Sequence, residues 1–319
     1  MAEATQVGID LEHQGVRTLQ KTILRWLAVI LAVFLGLAVL SLAAIYYITE
    51  ERINRVYPLP QDNIVVPTDP EAVKRGQHLV ITMGLCSECH GPDLAGDAFD
   101  DGPMVGLLGV PNLTSGEGGI GREYSDSDWV NAIRHGIGRD GKSLLFMQSN
   151  FYQSLSAEDL GDMIAYLKTV PPVNKTIPKT QLGPMSRWVL LQDPTLLPAA
   201  VIDHSQPPPL KPEAGVTIEY GRYLVNVCAV CHGADLAGGV EPGSGLNLTQ
   251  GGELGTWTEE DFIHTLRTGV KPDGTKLDPM MMPYPLIGQM TDEELRAVWL
   301  YLSSLPPVED PPQRGDTSS

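Results

Sequence analysis

Cysteine is scarce in this chain, with four residues in 319. All four fall into two pairs, Cys86 with Cys89 and Cys228 with Cys231, so none is left over for a disulfide framework. Aromatic residues are also few, at 6%, whereas glycine (33) and proline (26) are abundant. Loop-rich units of this kind build only a thin core from their own side chains. The composition therefore suits domains assembled around a bulky apolar prosthetic group. Basic residues are in deficit too, 22 Lys and Arg against 39 Asp and Glu, for a net charge of −17. The N-terminal stretch 1–26 adds nothing to that charge, because Glu3, Asp10 and Glu12 cancel Arg17, Lys21 and Arg25. The acidity belongs to the remainder and speaks against a nucleic-acid partner.

Each cysteine pair is followed at once by a histidine: Cys86-Ser87-Glu88-Cys89-His90 and Cys228-Ala229-Val230-Cys231-His232. Cys-x-x-Cys-His is the attachment signature of c-type haem. Two thiols one helical turn apart can each close a thioether to a haem vinyl group, and the histidine becomes the proximal iron ligand. A zinc ribbon would need its pairs close in sequence, yet His90 and His232 lie 142 positions apart. A thioredoxin-like site expects a strand–helix–strand setting, which neither motif has. Two covalently bound haem c groups are the expectation.

One long hydrophobic run occurs, Leu27 to Ile48, with no charge in 22 residues. At ~1.5 Å per residue it spans the roughly 30 Å hydrocarbon layer. A cleaved signal peptide has a shorter apolar region, roughly 7–15 residues, although Ser41-Leu42-Ala43 offers a poor cleavage site. Arg17, Lys21 and Arg25 precede the run, while Glu50 and Glu51 follow it beside Arg52 and Arg55. This bias places the N-terminus inside, with Tyr46, Tyr47 and Tyr57 available to the outer interface. The expectation is a single span in the cell (inner) membrane, with a cytoplasmic N-terminal tail. The rest would lie on the periplasmic or extracellular side, where bacteria also attach haem c.

The exported part is an internal repeat. The stretch 125–142 aligns with 258–276, 156–173 aligns with 291–308, and Asn112-Leu113-Thr114 matches Asn247-Leu248-Thr249. Each half reads as motif, loop, helix, Gly-rich turn, loop, helix and Pro-Pro stop, with a short helix ahead of each motif at about 71–85 and 217–228. Capping-box patterns open the later helices: Ser125 with Asp128, Ser156 with Asp159, Thr258 with Asp261, and Thr291 with Glu294. The repeated Asn-x-Thr also fits a glycosylation acceptor, but its aligned recurrence points to a structural role. The stretch 173–215 holds eight prolines and reads as a stiff, largely extended linker. The apolar Trp188-Val189-Leu190-Leu191 within it suits packing against a domain.

An iron that carries electrons needs a second axial ligand, and a Met thioether favours Fe(II). Met147 and Met282 occupy equivalent repeat positions in loops, and Pro283 stiffens the second. Met280 and Met281 are close enough to compete with Met282. His135, His264, His204 and His78 do not recur at aligned positions and read as surface or core residues.

Gly-x-x-Leu-Val ahead of Cys-x-x-Cys-His-Gly, the Met loop, and the C-terminal Tyr-Leu helix closing on Pro-Pro-Val together resemble class I cytochrome c domains. On this resemblance the chain looks like a membrane-anchored di-haem cytochrome c. The implied fold is all-α, one N-terminal transmembrane helix followed by two tandem cytochrome-c-like haem domains. The implied layout is a tail (1–22), an anchor (23–48), a linker (49–67), domain 1 (68–173), a Pro-rich linker (174–214), domain 2 (215–308) and a tail (309–319). Cofactor-binding residues would be Cys86, Cys89, His90 and Met147, then Cys228, Cys231, His232 and Met282, with His90, Met147, His232 and Met282 on iron. The missing Pro after Met147 is the one departure.

The implied activity is one-electron transfer between a protein donor and acceptor, alone or within a larger membrane complex, with no catalytic residues. The rival is a di-haem peroxidase or haem-based ligand sensor with one open iron. The acidity yields a first prediction. Electron transfer with a basic partner should slow as ionic strength rises, because screening weakens steering. Equal rates at low and high salt would contradict it.

Overall fold

The computed structural model describes residues 2–239 and 244–309, with side chains from residue 21 onward. The expected tail 309–319, apart from Glu309, lies outside the described residues, as do Met1 and the side chains up to residue 20. The chain forms two compact units, 1–52 and 53–319.

The first unit consists of helix α1 (Ala2–Ile53). Its stretch Lys21–Ile53 is long and apolar enough to cross a membrane, with a mean hydropathy of 2.8. The helix runs past the expected 23–48 at both ends, since the flanking Leu, Lys, Arg and Glu residues are themselves good helix formers.

The second unit is mainly helical and carries the repeat. Its first half contains α2 (Pro70–Thr82), α3 (Cys86–His90), α4 (Gly102–Val105), α5 (Asp126–His135), α6 (Ser149–Tyr152) and α7 (Ala157–Leu167). The connecting segment holds α8 (Pro184–Gln192). The second half contains α9 (Ile218–Leu224), α10 (Asn226–His232), α11 (Glu259–Thr268), α12 (Tyr284–Ile287) and α13 (Asp292–Ser304). α2 starts where the sequence predicts, with Pro70 in its first turn and the Asp69 side chain accepting from the Ala72 N–H. It stops earlier than predicted, at Thr82, and a separate short helix carries the first motif.

In each half the helix before the motif packs against the last helix, α2 on α7 and α9 on α13. The contact depends on Gly76 and Gly221. A Cβ at either would sit 1.9 Å from a backbone oxygen, that of Asp162 or that of Ala297. Only glycine permits backbones that close. The buried apolar residues of the two halves, such as Leu79, Trp129 and Ile164 with Leu224, Phe262 and Leu295, form one continuous cluster.

The fold is not purely helical. Strands β1 (Asp97–Asp100), β2 (Gly106–Val110) and β3 (Gln181–Leu182) form an antiparallel sheet in that order. Asp97 pairs with Val110 and Asp100 with Leu107, while Gly106 pairs with Leu182. The reason is length: His90 and Asn112 are 22 positions apart, whereas His232 and Asn247 are 15 apart. The extra residues fold into a hairpin, and the connecting segment adds a third strand. That segment is therefore not simply extended. It holds β3, α8 and two short 3-10 turns, and it packs Leu190, Leu197 and Ala199 into buried positions.

Three of the four capping boxes close as predicted, at α5, α11 and α13. At α7 the Ser156 side chain accepts from the Asp159 N–H, but the Asp159 carboxylate is used elsewhere. It accepts from the Tyr223 hydroxyl at 2.5 Å and from Lys211 Nζ at 2.7 Å. The other half mirrors this contact. His78 Nε2 lies 2.8 Å from Glu294 Oε2 at the start of α13. His78 and Tyr223 each stand two residues after the close-packed glycine of their helix. Each half thus reaches the opening turn of the other half's last helix.

Glu294 sits below the ordinary glutamate range. Burial pushes it up, but its bond to His78 and the Thr291 N–H and hydroxyl outweigh that. Burial and the Asp159 charge push the Tyr223 hydroxyl upward, keeping it a proton donor. A carboxylate with a depressed folded-state pKa stabilises above its unfolded value, ~4.3 for Glu, and loses that contribution as pH falls through the folded value. Glu294→Gln should therefore cost about 1–3 kcal/mol at neutral pH. The gap from the parent should close as the solution is acidified below the carboxylate range. Thermal melts at several pH values check this, and a gap independent of pH would contradict it.

Candidate functional site

Both motifs place their two cysteines and histidine on a short helix that ends at a left-handed glycine, Gly91 (φ 77°) or Gly233 (φ 80°). A tight turn follows. The Gly96 N–H donates to the His90 carbonyl at 2.8 Å, and the Gly238 N–H donates to the His232 carbonyl at 2.9 Å. Leu94 (φ 57°) and Leu236 (φ 60°) take left-handed backbone inside these turns, although both are buried leucines. Such strain persists only where surrounding structure enforces it. Its exact recurrence marks the turn as part of the site. The repeated Asp-Leu-Ala-Gly at 93–96 and 235–238 is the sequence signal for it.

The imidazoles are buried and oriented alike. His90 Nδ1 lies 2.8 Å from the Pro111 carbonyl oxygen, and His232 Nδ1 lies 2.6 Å from that of Leu246. A carbonyl can only accept, so each ring carries its proton on Nδ1 and presents the Nε2 lone pair to a metal. Burial lowers both imidazoles from the usual range, and the carbonyl bond pulls the other way.

The residue after each of those carbonyls is the repeated asparagine. Asn112 Nδ2 donates to the Val173 carbonyl at 2.8 Å, and Asn247 Nδ2 donates to that of Val308 at 2.8 Å. Each asparagine Oδ1 accepts the threonine N–H two residues on, and each threonine hydroxyl accepts the N–H of the same valine. Asn-x-Thr therefore fastens the Pro-Pro-Val exit of each half to the loop that holds the histidine. Both asparagines are buried, which fits the structural role rather than glycosylation.

The second half encloses a cavity of about 250 Å³. Cys228, Cys231, His232, Met281, Met282 and the buried Met290 line it, among apolar side chains from α11 and α13. Thiols and an imidazole on one wall, thioethers in the lining and apolar residues around them fit a flat apolar macrocycle bearing iron. In the first half Tyr152 is raised by burial and by the neighbouring Cys86 and Cys89, and its hydroxyl donates to the Gly84 carbonyl. The buried Trp129 indole N–H has no acceptor among the described residues. A carboxylate-bearing group would satisfy it. Burial raises all four thiols, Cys86 and Cys228 to about 12. That is the reverse of the lowered thiols of disulfide-exchange pairs.

Met147 and Met282 are both half-buried, each two positions before the first residue of α6 or α12. Met280 is 85% exposed and Met281 is 60% exposed. Sequence reasoning missed Met290, which replaces the Leu155 of the first half. It also left His78 and His135 without a role. His78 joins the two halves, and the buried His135 bonds Asp62 at 3.0 Å and His204 at 3.2 Å. His264 is exposed, as expected.

Residues 73–171 and 218–306 match the cytochrome c family profile. The chain is 32% identical over 281 residues to the fructose dehydrogenase cytochrome subunit of Gluconobacter japonicus, covering 75% of this chain and 55% of that protein. It is 29% identical over 282 residues to the alcohol dehydrogenase (quinone) cytochrome c subunit of Gluconacetobacter polyoxogenes, covering 78% and 58%. It is 28% identical over 290 residues to a diheme cytochrome c-type protein of Cereibacter sphaeroides, covering 76% and 92%. The chain thus spans little more than half the length of the two dehydrogenase subunits.

The exit clamp generates a prediction. Asn112→Ala or Asn247→Ala leaves buried backbone groups unpaired and should cost about 1–3 kcal/mol. Differential scanning calorimetry of the haem-loaded chain checks it. An unchanged melt in both variants would contradict the clamp.

Proposed function

The chain belongs to the cytochrome c family, and on that footing we propose that it is a membrane-anchored di-haem electron carrier. Its α1 helix would hold it in the membrane, with both haem domains on the exported side. The observation that carries this reading is the exact doubling of the histidine geometry. Two imidazoles of one tautomer, each fixed by a backbone carbonyl, stand in two halves that are locked to each other by matching helix contacts. Each haem, when bound, supplies an iron centre that gains and loses one electron.

The chain's own residues do the rest. Cys86 and Cys89, and Cys228 and Cys231, would tether the two groups covalently. His90 and His232 would hold the metal through Nε2, and Met147 and Met282 would each supply a thioether sulfur to it. Histidines fixed by buried carbonyl bonds would limit rearrangement between oxidation states. The largely apolar lining of the second site, with Glu253 and Lys271 paired to each other at 2.7 Å, favours a carrier over a peroxidase.

The relatives named as cytochrome subunits of dehydrogenases support a donor of that kind. We propose that a membrane-associated dehydrogenase delivers electrons to this chain, and that a second protein on the exported side removes them. The acidic surface favours basic docking faces on those partners.

A redox titration of the purified full chain, followed by absorbance, tests the reading. Two one-electron steps are expected. Met147→Leu should lower one potential and Met282→Leu the other, because loss of the thioether removes its preference for Fe(II). If Met282→Leu left both potentials in place, Met281 or Met290 would be the ligand instead. If neither step responded to either substitution, the methionine assignment would fall.

A further inference from the structure

The two Met-bearing loops occupy equivalent positions but are held very differently. The first is short, running from Leu144 through Met147 into α6, and it is braced by chain from outside the repeat. The Phe146 N–H donates to the Leu196 carbonyl at 3.0 Å, and the Ala199 N–H donates to Ser143 Oγ at 3.2 Å. Leu197, Ala199 and Ile202 are buried. Pro198 fills the space over Gly136, where a Cβ would lie 2.6 Å from its ring.

A second strap comes from the stretch after α1. The Tyr57 N–H donates to the Gly141 carbonyl at 2.8 Å. Asp62 bonds Arg134 at 2.9 Å and His135 at 3.0 Å. Arg134 also donates to the Gln153 and Gln206 carbonyls, so one buried cation joins both straps to the loop after Met147.

The second loop has none of this among the described residues. It runs from Leu277 through Met282 and is two residues longer. Its hydrogen bonds stay local, from Met281 and Met282 N–H to the Asp278 carbonyl and from Met280 N–H to Asp278 Oδ1. The space over Gly269 is filled by the half's own Tyr284 ring. Leu246 (52%) and Met281 (60%) are exposed and also line the cavity, so the pocket opens to solvent beside Met282.

We infer that the second site is the one that admits a small exogenous donor ligand, of the imidazole or cyanide class, in place of Met282. The first site keeps Met147. This rests on the two methionines being the ligands proposed above. In the exchange one sulfur–iron bond breaks and one nitrogen–iron or carbon–iron bond forms, with no change in oxidation state. Opening the first loop means breaking contacts to two straps, whereas opening the second breaks only local ones. One net hydrogen bond already changes such an equilibrium about tenfold.

The test is an imidazole titration of the oxidised full chain, watching the long-wavelength band that reports Met–iron bonding. Half of the band should disappear at about tenfold or more lower imidazole than the other half. Met282→Leu should retain only the resistant half, and Met147→Leu only the sensitive half. Loss of both halves together, or a resistant half that belongs to Met282, would overturn the inference. If neither substitution removed any of the band, the ligand assignment itself would have failed, whatever the order of loss. Asp62→Ala, in the otherwise intact chain, should bring first-site imidazole affinity toward that of the second. An unchanged first site in a folded Asp62→Ala protein would also overturn the inference.

Discussion

The hydrogen bond from a histidine ring to a backbone carbonyl is the constraint on which each half is built. His90 donates to Pro111 and His232 donates to Leu246. The bond settles the tautomer and the ring plane, and so decides which nitrogen faces a metal. It is useful only if the carbonyl stays in place. Asn112 and Asn247 secure it by tying the next residue to the Pro-Pro-Val exit of the last helix. The strained leucine turns close the other side. A short motif is thus connected to the ends of its own domain through buried hydrogen bonds, which are costly to leave unpaired in such surroundings.

The second organising feature is reciprocity between the halves. α2 and α9 each pack through a glycine against the last helix of their own half, and each sends one polar side chain to the other half's last helix. α6 also lies against α10, which carries the second motif, and α12 against α2, which precedes the first. This arrangement makes the two halves one body. The symmetry is incomplete where the chain has extra length. The hairpin and the two straps all lie on the first half.

Much of this was legible in the sequence. The motifs, the repeat and the helix starts rest on local spacing, and local spacing survives folding; the recurring Asn-x-Thr signalled a structural role, but not its partners Val173 and Val308, each 61 positions away. The Ser156 capping box did not form as written because Tyr223 and Lys211, distant in sequence, compete for Asp159. The same kind of distant pairing hid His78 and His135, whose partners are Glu294 and Asp62. The sheet was invisible because its strands are short, the second carries glycines, and it depends on a third strand far along the chain, with Gln181 pairing Leu107 74 positions earlier. Proline density suggested an extended linker at 174–214. It did not reveal that Pro198 and its neighbours would cover the first Met loop.

The account stands on two histidine-ligated irons that both keep a sixth ligand. Low-temperature electron paramagnetic resonance of the fully oxidised full chain tests that most directly. Two low-spin ferric signals of equal intensity, with no high-spin component, are the predicted result. A high-spin signal accounting for either iron would contradict it and would turn the site in question from an electron carrier into an open, ligand-binding centre.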